Sequence, residues 1–298
     1  MQAADNCEGQ GSHSRRGSRK LLLITLAAAL WLASCSPPKY EPTIAFPCEW
    51  PGSPGFHGNI DQQEIKDPSG ICFHPQRKTL FVVSDEGQIY EMQTDGTPLF
   101  RQRLPGDLED ITVNPATGLL YIPVEGADVI LEYDPDRWEV VRRFPVNRQY
   151  GANPEYLKKL TDQYDNGLEA LVFVPDEDHP EGGTFYAGNQ EDPACLLELL
   201  VPLKSSQAPE AEARIIRVLP TKIRDPGALY YDGRRKLLYA VSDSDNILLE
   251  ISLDGRIRKE WAFPGNGQEG LTWDDQGYFY IAQDPVGIFK LKDLRKNK

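Results

Sequence analysis

Histidine is scarce here, with four residues, methionine scarcer still with two, and cysteine stops at five. Beyond residue 34 the imidazoles are His57, His74 and His179, and no two stand at ligand spacing, which argues against a zinc site. Past Cys35 the thiols are Cys48, Cys72 and Cys195, an odd set that makes no disulfide framework. Cys72, inside an apolar strand pattern, reads as a small buried hydrophobe. No nucleophile elbow (Gly-x-Ser-x-Gly), phosphate loop or zinc-protease motif occurs, so no catalytic signature of those kinds is present. Basic residues are also in deficit, since 32 Lys and Arg against 45 Asp and Glu leave a formal charge of −13. Such a field repels polyanions, which disfavours nucleic acid as a partner and favours cations; a plain solvated acidic surface gives the same balance.

A long hydrophobic run is missing as well. The longest, Leu21–Ser34 (LLLITLAAALWLAS), is too short to span hydrocarbon stably. It follows the basic residues Arg15, Arg16, Arg19 and Lys20, and so reads as the core of a signal peptide. The residues that end it, Leu32-Ala33-Ser34-Cys35, resemble the lipobox of bacterial lipoproteins, in which the cysteine takes the diacylglycerol. Ser36-Pro37-Pro38-Lys39 then looks like a flexible tether. The expected organisation is a signal peptide over 1–34, a lipidated tether over 35–41 and one globular domain over 42–298. An ordinary cleavage site with an incidental cysteine is the alternative. Ser36 after the cysteine suggests, by resemblance, sorting to the outer membrane. The expected location is therefore the cell envelope, lipid-anchored, on the periplasmic face of the outer membrane.

What is plentiful is strand and turn chemistry: 24 Pro, 25 Gly, 13 Tyr and 11 Phe favour many short strands over long helices. The same phrase recurs five times, opening at Ser69-Gly70-Ile71, Glu109-Asp110-Ile111, Glu169-Ala170-Leu171, Gly227-Ala228-Leu229 and Glu269-Gly270-Leu271. Each opening leads through turn residues such as His74-Pro75, Asn114-Pro115 or Asp232-Gly233 to a second strand: 79–86, 119–126, 184–192, 237–244 and 278–285. Four repeats continue with a third strand and a fourth that ends in an apolar residue plus proline, as in Leu104-Pro105 and Phe144-Pro145.

Four strands per repeat is the signature of propeller blades, because one blade cannot bury both of its faces alone. The fold class is all-β, a five-bladed β-propeller. The fifth repeat lacks its fourth strand, and Thr43-Ile44-Ala45-Phe46-Pro47 matches Ala262-Phe263-Pro264, so an N-terminal strand over 43–47 is expected to close the last blade. A six-bladed ring, with residues 41–66 supplying more than one strand, is the alternative. Residues 147–166, with Tyr156, Leu157 and Leu160 at helical spacing, read as a short helical insertion, either a functional cap or a surface loop.

In such a ring the inner strands start on the face to which the second strands return. Glu109, Glu169 and Glu269 at inner-strand starts should therefore meet Asp85, Glu125, Glu191, Asp243 and Asp284 at second-strand ends, around one mouth of the central channel. Crowded carboxylates stay ionised only if a cation or hydrogen bonds offset their repulsion, and an all-oxygen set suits Ca²⁺. Capping of strand and turn amides between blades is the structural use of the same positions. No cofactor besides calcium and no catalytic residue is assigned.

Asp107-Leu108-Glu109-Asp110-Ile111, Gly167-Leu168-Glu169-Ala170-Leu171, Asp225-Pro226-Gly227-Ala228 and Gln268-Glu269-Gly270-Leu271, each followed by its strand pair, resemble the SdiA-regulated, YjiK-like β-propeller family over about residues 60–292. The resemblance implies a five-bladed propeller in the envelope, with a Ca²⁺ site at Glu109, Glu169 and Glu269 and an acidic residue, Glu191, after a second strand. Ser69 and Gly227 depart from the glutamate pattern. The family carries no settled reaction. The expected function is thus a non-catalytic, cation-binding propeller, monomeric and membrane-attached through its lipid, that presents an acidic mouth to a ligand or envelope protein. A calcium-dependent hydrolase (esterase, lactonase or phytase-like) and an outer-membrane scaffold are the alternatives.

Overall fold

Alternating and fully apolar segments, mostly of six or seven residues and separated by tight turns, give twenty strands and, among the described residues, no helix. The structure is a computed structural model that describes residues 44–49, 58–152, 167–190, 193–219, 221, 223–263 and 265–295. The signal peptide, Cys35, the tether, the helical reading around Tyr156, Leu157 and Leu160, and Glu191 lie outside the described residues.

The strands form antiparallel units of four in chain order. The first holds β2 (Pro68–His74), β3 (Thr79–Ser84), β4 (Gln88–Gln93) and β5 (Pro98–Arg103). The second holds β6 (Thr112–Val113), β7 (Leu120–Val124), β8 (Val129–Asp134) and β9 (Glu139–Asn147). The third holds β10 (Leu168–Pro175), β11 (Gly183–Asn189), β12 (Cys195–Leu200) and β13 (Ala213–Leu219). The fourth holds β14 (Pro226–Asp232), β15 (Leu237–Ser242), β16 (Ile247–Ser252) and β17 (Ile257–Ala262). The last sheet contains β18 (Gln268–Trp273), β19 (Tyr278–Gln283) and β20 (Gly287–Lys292), with the N-terminal β1 (Gly58–Asn59) on its edge. A parallel pairing of β13 with β9, Ala213 opposite Val146, joins the second and third units into one eight-stranded sheet.

Burial falls from the inner strand of each unit to its outer one, and composition follows. β3 (TLFVVS) is buried throughout, whereas β5 (PLFRQR) is mostly solvent-facing. The third strands β4, β8, β12 and β16 carry one glutamate each, and burial makes it find partners. Glu132 accepts from Tyr121 Oη at 2.7 Å and pairs with Arg142, and Glu250 accepts from Tyr239 Oη at 2.9 Å. Each hydrophobic cluster is shared by two successive units, and one cluster joins Ile71, Leu80 and Met92 of the first to Tyr280 and Ile288 of the last. The inner strands pack in the same closed order, β2 on β6, β6 on β10, β10 on β14, β14 on β18, and β18 on β2.

Closure comes from the N-terminus, but through a different segment than the sequence suggested. β1 pairs with β20, Gly58 opposite Lys290, and supplies the fourth strand. Residues 44–48 instead lie across the seam: Ala45 bridges Ala262 of β17, and Cys48 bridges Asp293. The tripeptide match at 45–47 is used at this seam, with Phe46, 1% exposed, packed edge-on against Trp261 and Phe279. Arg295 locks the seam from the other end. Its guanidinium pairs with Asp293 at 2.6 Å and lies 4.9, 4.6 and 4.8 Å from the rings of Phe46, Tyr239 and Trp273. Cys48, Cys72 and Cys195 are all buried as free thiols.

Candidate functional site

One local device recurs at the start of each inner strand. The first amide after the second strand donates back to a carbonyl just ahead of the inner strand. The pairs are Asp85 N to Asp67 O (3.2 Å), Glu125 N to Asp107 O (3.0 Å), Gln190 N to Gly167 O (3.2 Å), Asp243 N to Asp225 O (3.1 Å) and Asp284 N to Gly267 O (2.8 Å). Two residues further on the pairing register slips, at Ser69, Glu169, Gly227 and Glu269. Glu109 holds the equivalent place ahead of β6 through Glu109 N to Pro123 O at 3.3 Å. A β-bulge leaves its extra residue unpaired and takes it out of the in–out alternation. The bulge therefore frees these glutamates from the interfaces between units and gathers them at one mouth of the ring of inner strands.

Seven of the eight acidic residues expected at that mouth are described, and they adjoin one another. Glu109 is influenced by Glu169, Asp85, Asp107 and Glu125. Glu169 is influenced by Glu125, Asp225 and Glu269, and Glu269 by Asp85, Asp284, Asp243 and Asp225. The repeat hydrogen bond gives the third unit Gln190 at the position where Glu191 was expected. Asp67, Asp107 and Asp225 complete the cluster. They lie outside the strand openings and ends, yet recur two residues before Ser69, Glu109 and Gly227.

Burial is the first cause of raised carboxyl pKa values here, and neighbouring carboxylates are the second. Together they hold Glu109 and Glu169 well above the usual range and push Glu269 up to about 9. Asp85, at the solvent side, is pushed up to about 7 by enclosure and by Asp107, against a hydrogen bond from Ser69. Asp243 and Asp284 are raised as well, and a carboxyl–carboxylate hydrogen bond joins Glu169 to Glu125 and Asp284 to Asp67.

Beneath the carboxylates the inner strands narrow onto Gly70, Asp110, Ala170, Ala228 and Gly270. A β-carbon on Gly70 would lie 2.5 Å from the Asp110 backbone, so only glycine fits there. Asp110, 2% exposed, spans the space: Oδ1 accepts from Ile111 N at 2.7 Å and Oδ2 from Leu171 N at 2.8 Å. Its carboxyl closes the floor of the acidic mouth.

Ligand oxygens on one Ca²⁺, with bonds of about 2.3–2.6 Å, lie no more than about 5 Å apart. Asp85, Asp107 and Glu109 offer three carboxylate oxygens within 4.8 Å of one another. Asp243 and Asp284 each keep a buried Oδ1 without a hydrogen-bond partner among the described residues. An oxygen-only, charge-rich donor set of this kind fits a hard divalent ion.

A sequence model of the SdiA-regulated family matches residues 51–292. Among solved structures, the chain is similar to the glutaminyl cyclase of Myxococcus xanthus, with a TM-score of 0.50 and 11% identity over 83% of this chain and 93% of that one. At that identity the likeness concerns the fold.

Proposed function

The chain belongs to the SdiA-regulated family, and from the geometry of its acidic mouth we propose a five-bladed β-propeller that binds Ca²⁺ there and presents the loaded face to a ligand or partner protein. The observation that carries this reading is the three-oxygen cluster of Asp85, Asp107 and Glu109, with Glu169 and Glu269 adjoining. A bound ion would supply positive charge that offsets the repulsion among these carboxylates. Asp85, Asp107 and Glu109 would supply the ligands, above the buried carboxyl of Asp110. Five units, each with its own inner strand, support the blade count over six. Metal analysis of purified protein, with melting curves in Ca²⁺ and in chelator, tests the reading. A calcium-raised melting temperature with one or more ions bound is expected, and identical curves with no bound metal overturn it.

A calcium-dependent hydrolase is the second reading, favoured by the adjoining carboxyl groups of Glu109 and Glu169, a pair of the kind that shares acid and base roles when one member is protonated and the other is not. An ester and phosphoester panel run with Ca²⁺ on wild type and on Glu109→Gln/Glu169→Gln separates the two: turnover lost without unfolding supports the enzyme. The envelope assignment rests on residues 15–35, and palmitate labelling of wild type against Cys35→Ser tests it.

A further inference from the structure

The inner strands all run the same way, from the carboxylates toward a second opening that the proposed function does not use. Past Asp110 they enclose a cavity of about 260 Å³ to which all five inner strands or the turns after them contribute. Its character is opposite to that of the acidic mouth. None of its 18 lining residues is charged, in a chain with 26% charged residues. The walls are rings, Phe73, Phe173, Tyr230 and Trp273, with Tyr230 and Trp273 centroids 4.6 Å apart, and Pro75, Pro115 and Pro175 stand at the strand ends.

Two polar groups break this surface. Thr112 Oγ1 accepts from Phe173 N at 3.2 Å, and Thr272 Oγ1 accepts from Phe73 N at 3.1 Å. Each hydroxyl has one proton left to give, and no described residue takes either. A pocket of rings with a pair of buried donors favours a flat, uncharged molecule carrying a hydrogen-bond acceptor. A charged ligand would leave its charge desolvated there without a partner. The volume lies just under the range of small-molecule pockets, which limits the occupant to two or three rings.

We infer that this end of the channel is a binding site for a small, neutral, ring-bearing compound with a carbonyl-type acceptor, separate from the cation mouth. The probe is the uncharged naphthyl ketone Prodan, whose emission shifts in apolar surroundings. Gly233 on the rim gives a plug: its φ is not positive, and an added β-carbon would meet only Tyr231 Cε1, at 3.6 Å. Expected are saturable binding of one Prodan per chain, the same in Ca²⁺ and in chelator, and at least tenfold weaker binding of the naphthoate anion. Gly233→Leu should melt as wild type does and bind at least tenfold more weakly. In the wild type, bound Prodan should slow amide exchange around residues 71–75 and 229–233 and leave residues 85–87 unchanged. Unsaturable binding, unaltered affinity in Gly233→Leu, or protection confined to other segments overturns the inference. Because no metal enters it, failure here leaves the calcium reading standing, and the reverse also holds.

Discussion

Asp110 Oδ2 accepts a 2.8 Å hydrogen bond from Leu171 N, so a side chain ahead of β6 stands in for the backbone ladder that neighbouring inner strands cannot make with each other. The same substitution recurs lower down, where Thr112 Oγ1 serves Phe173 N. Asp110→Ala removes the acceptor for two buried amides, at about 1–3 kcal/mol for each group left unsatisfied. A clear drop in melting temperature by calorimetry is expected, and a smaller one for Asp110→Asn, which keeps one acceptor oxygen. Equal melting of Asp110→Ala and wild type would show that water serves these amides.

Replacing Glu109 and Glu169 by glutamine should abolish the stabilisation that calcium gives. At a hundredfold excess over its Kd a ligand adds about 2.7 kcal/mol to the folded state. The double variant should therefore melt below wild type in Ca²⁺ and no lower than wild type in chelator, where two crowded carboxyls have been relieved. An equal loss in both buffers assigns the glutamates to capping rather than to metal.

The metal-free protein should lose stability as pH rises. Burial and the neighbouring carboxylates push the Glu269 carboxyl up to about 9 in the folded state, against an ordinary value of 4.5. Over that window the folded state binds more protons than the unfolded one, so the contribution of Glu269 is most favourable below pH 4.5 and declines up to about 9. Asp85 adds the same trend up to about 7. Urea titrations in chelator at pH 5 and pH 8 measure the slope. It should flatten in Glu269→Gln, and a slope unchanged by that variant sinks the assignment.

Arg295 is expected to matter more than a surface arginine ordinarily does. Its guanidinium neutralises Asp293, whose Oδ2 also accepts from Trp273 Nε1 at 2.9 Å, and both side chains of the pair are only 12% exposed. Arg295→Met leaves that carboxylate without its cation, at a cost of about 3 kcal/mol. Arg295→Lys should lose less, keeping the charge without the planar fork. Equilibrium unfolding of the two variants checks the order.

Much of this was legible in the sequence because a repeat shows each position several times. Second strands such as TLFVVS, buried throughout, and LLYAVS, buried but for its first residue, announce themselves by composition, and the mouth carboxylates follow from strand direction alone. The closing strand did not, since Gly58–Asn59 is two residues long with no apolar pattern, whereas Ala45-Phe46-Pro47 mimics a blade end while packing across the seam. Asp67, Asp107 and Asp225 were missed because their role comes from a carbonyl hydrogen bond and the bulge two residues later, features of backbone register rather than of residue type. The apolar end of the channel was equally hidden: Phe73, Tyr230 and Trp273 look like ordinary core residues until the inner strands are set round a common axis.

The pairing of Gly58 with Lys290 sets a condition on how the molecule is made. A ribosome delivers Gly58 well before Lys290, so the edge that β1 offers has to wait for its partner. Until β20 has been made the ring stays open, with unpaired backbone groups at the gap. Completion of the circle thereby acts as a length check: a product cut short before β20 keeps a raw strand edge, which exposes it to aggregation and proteolysis.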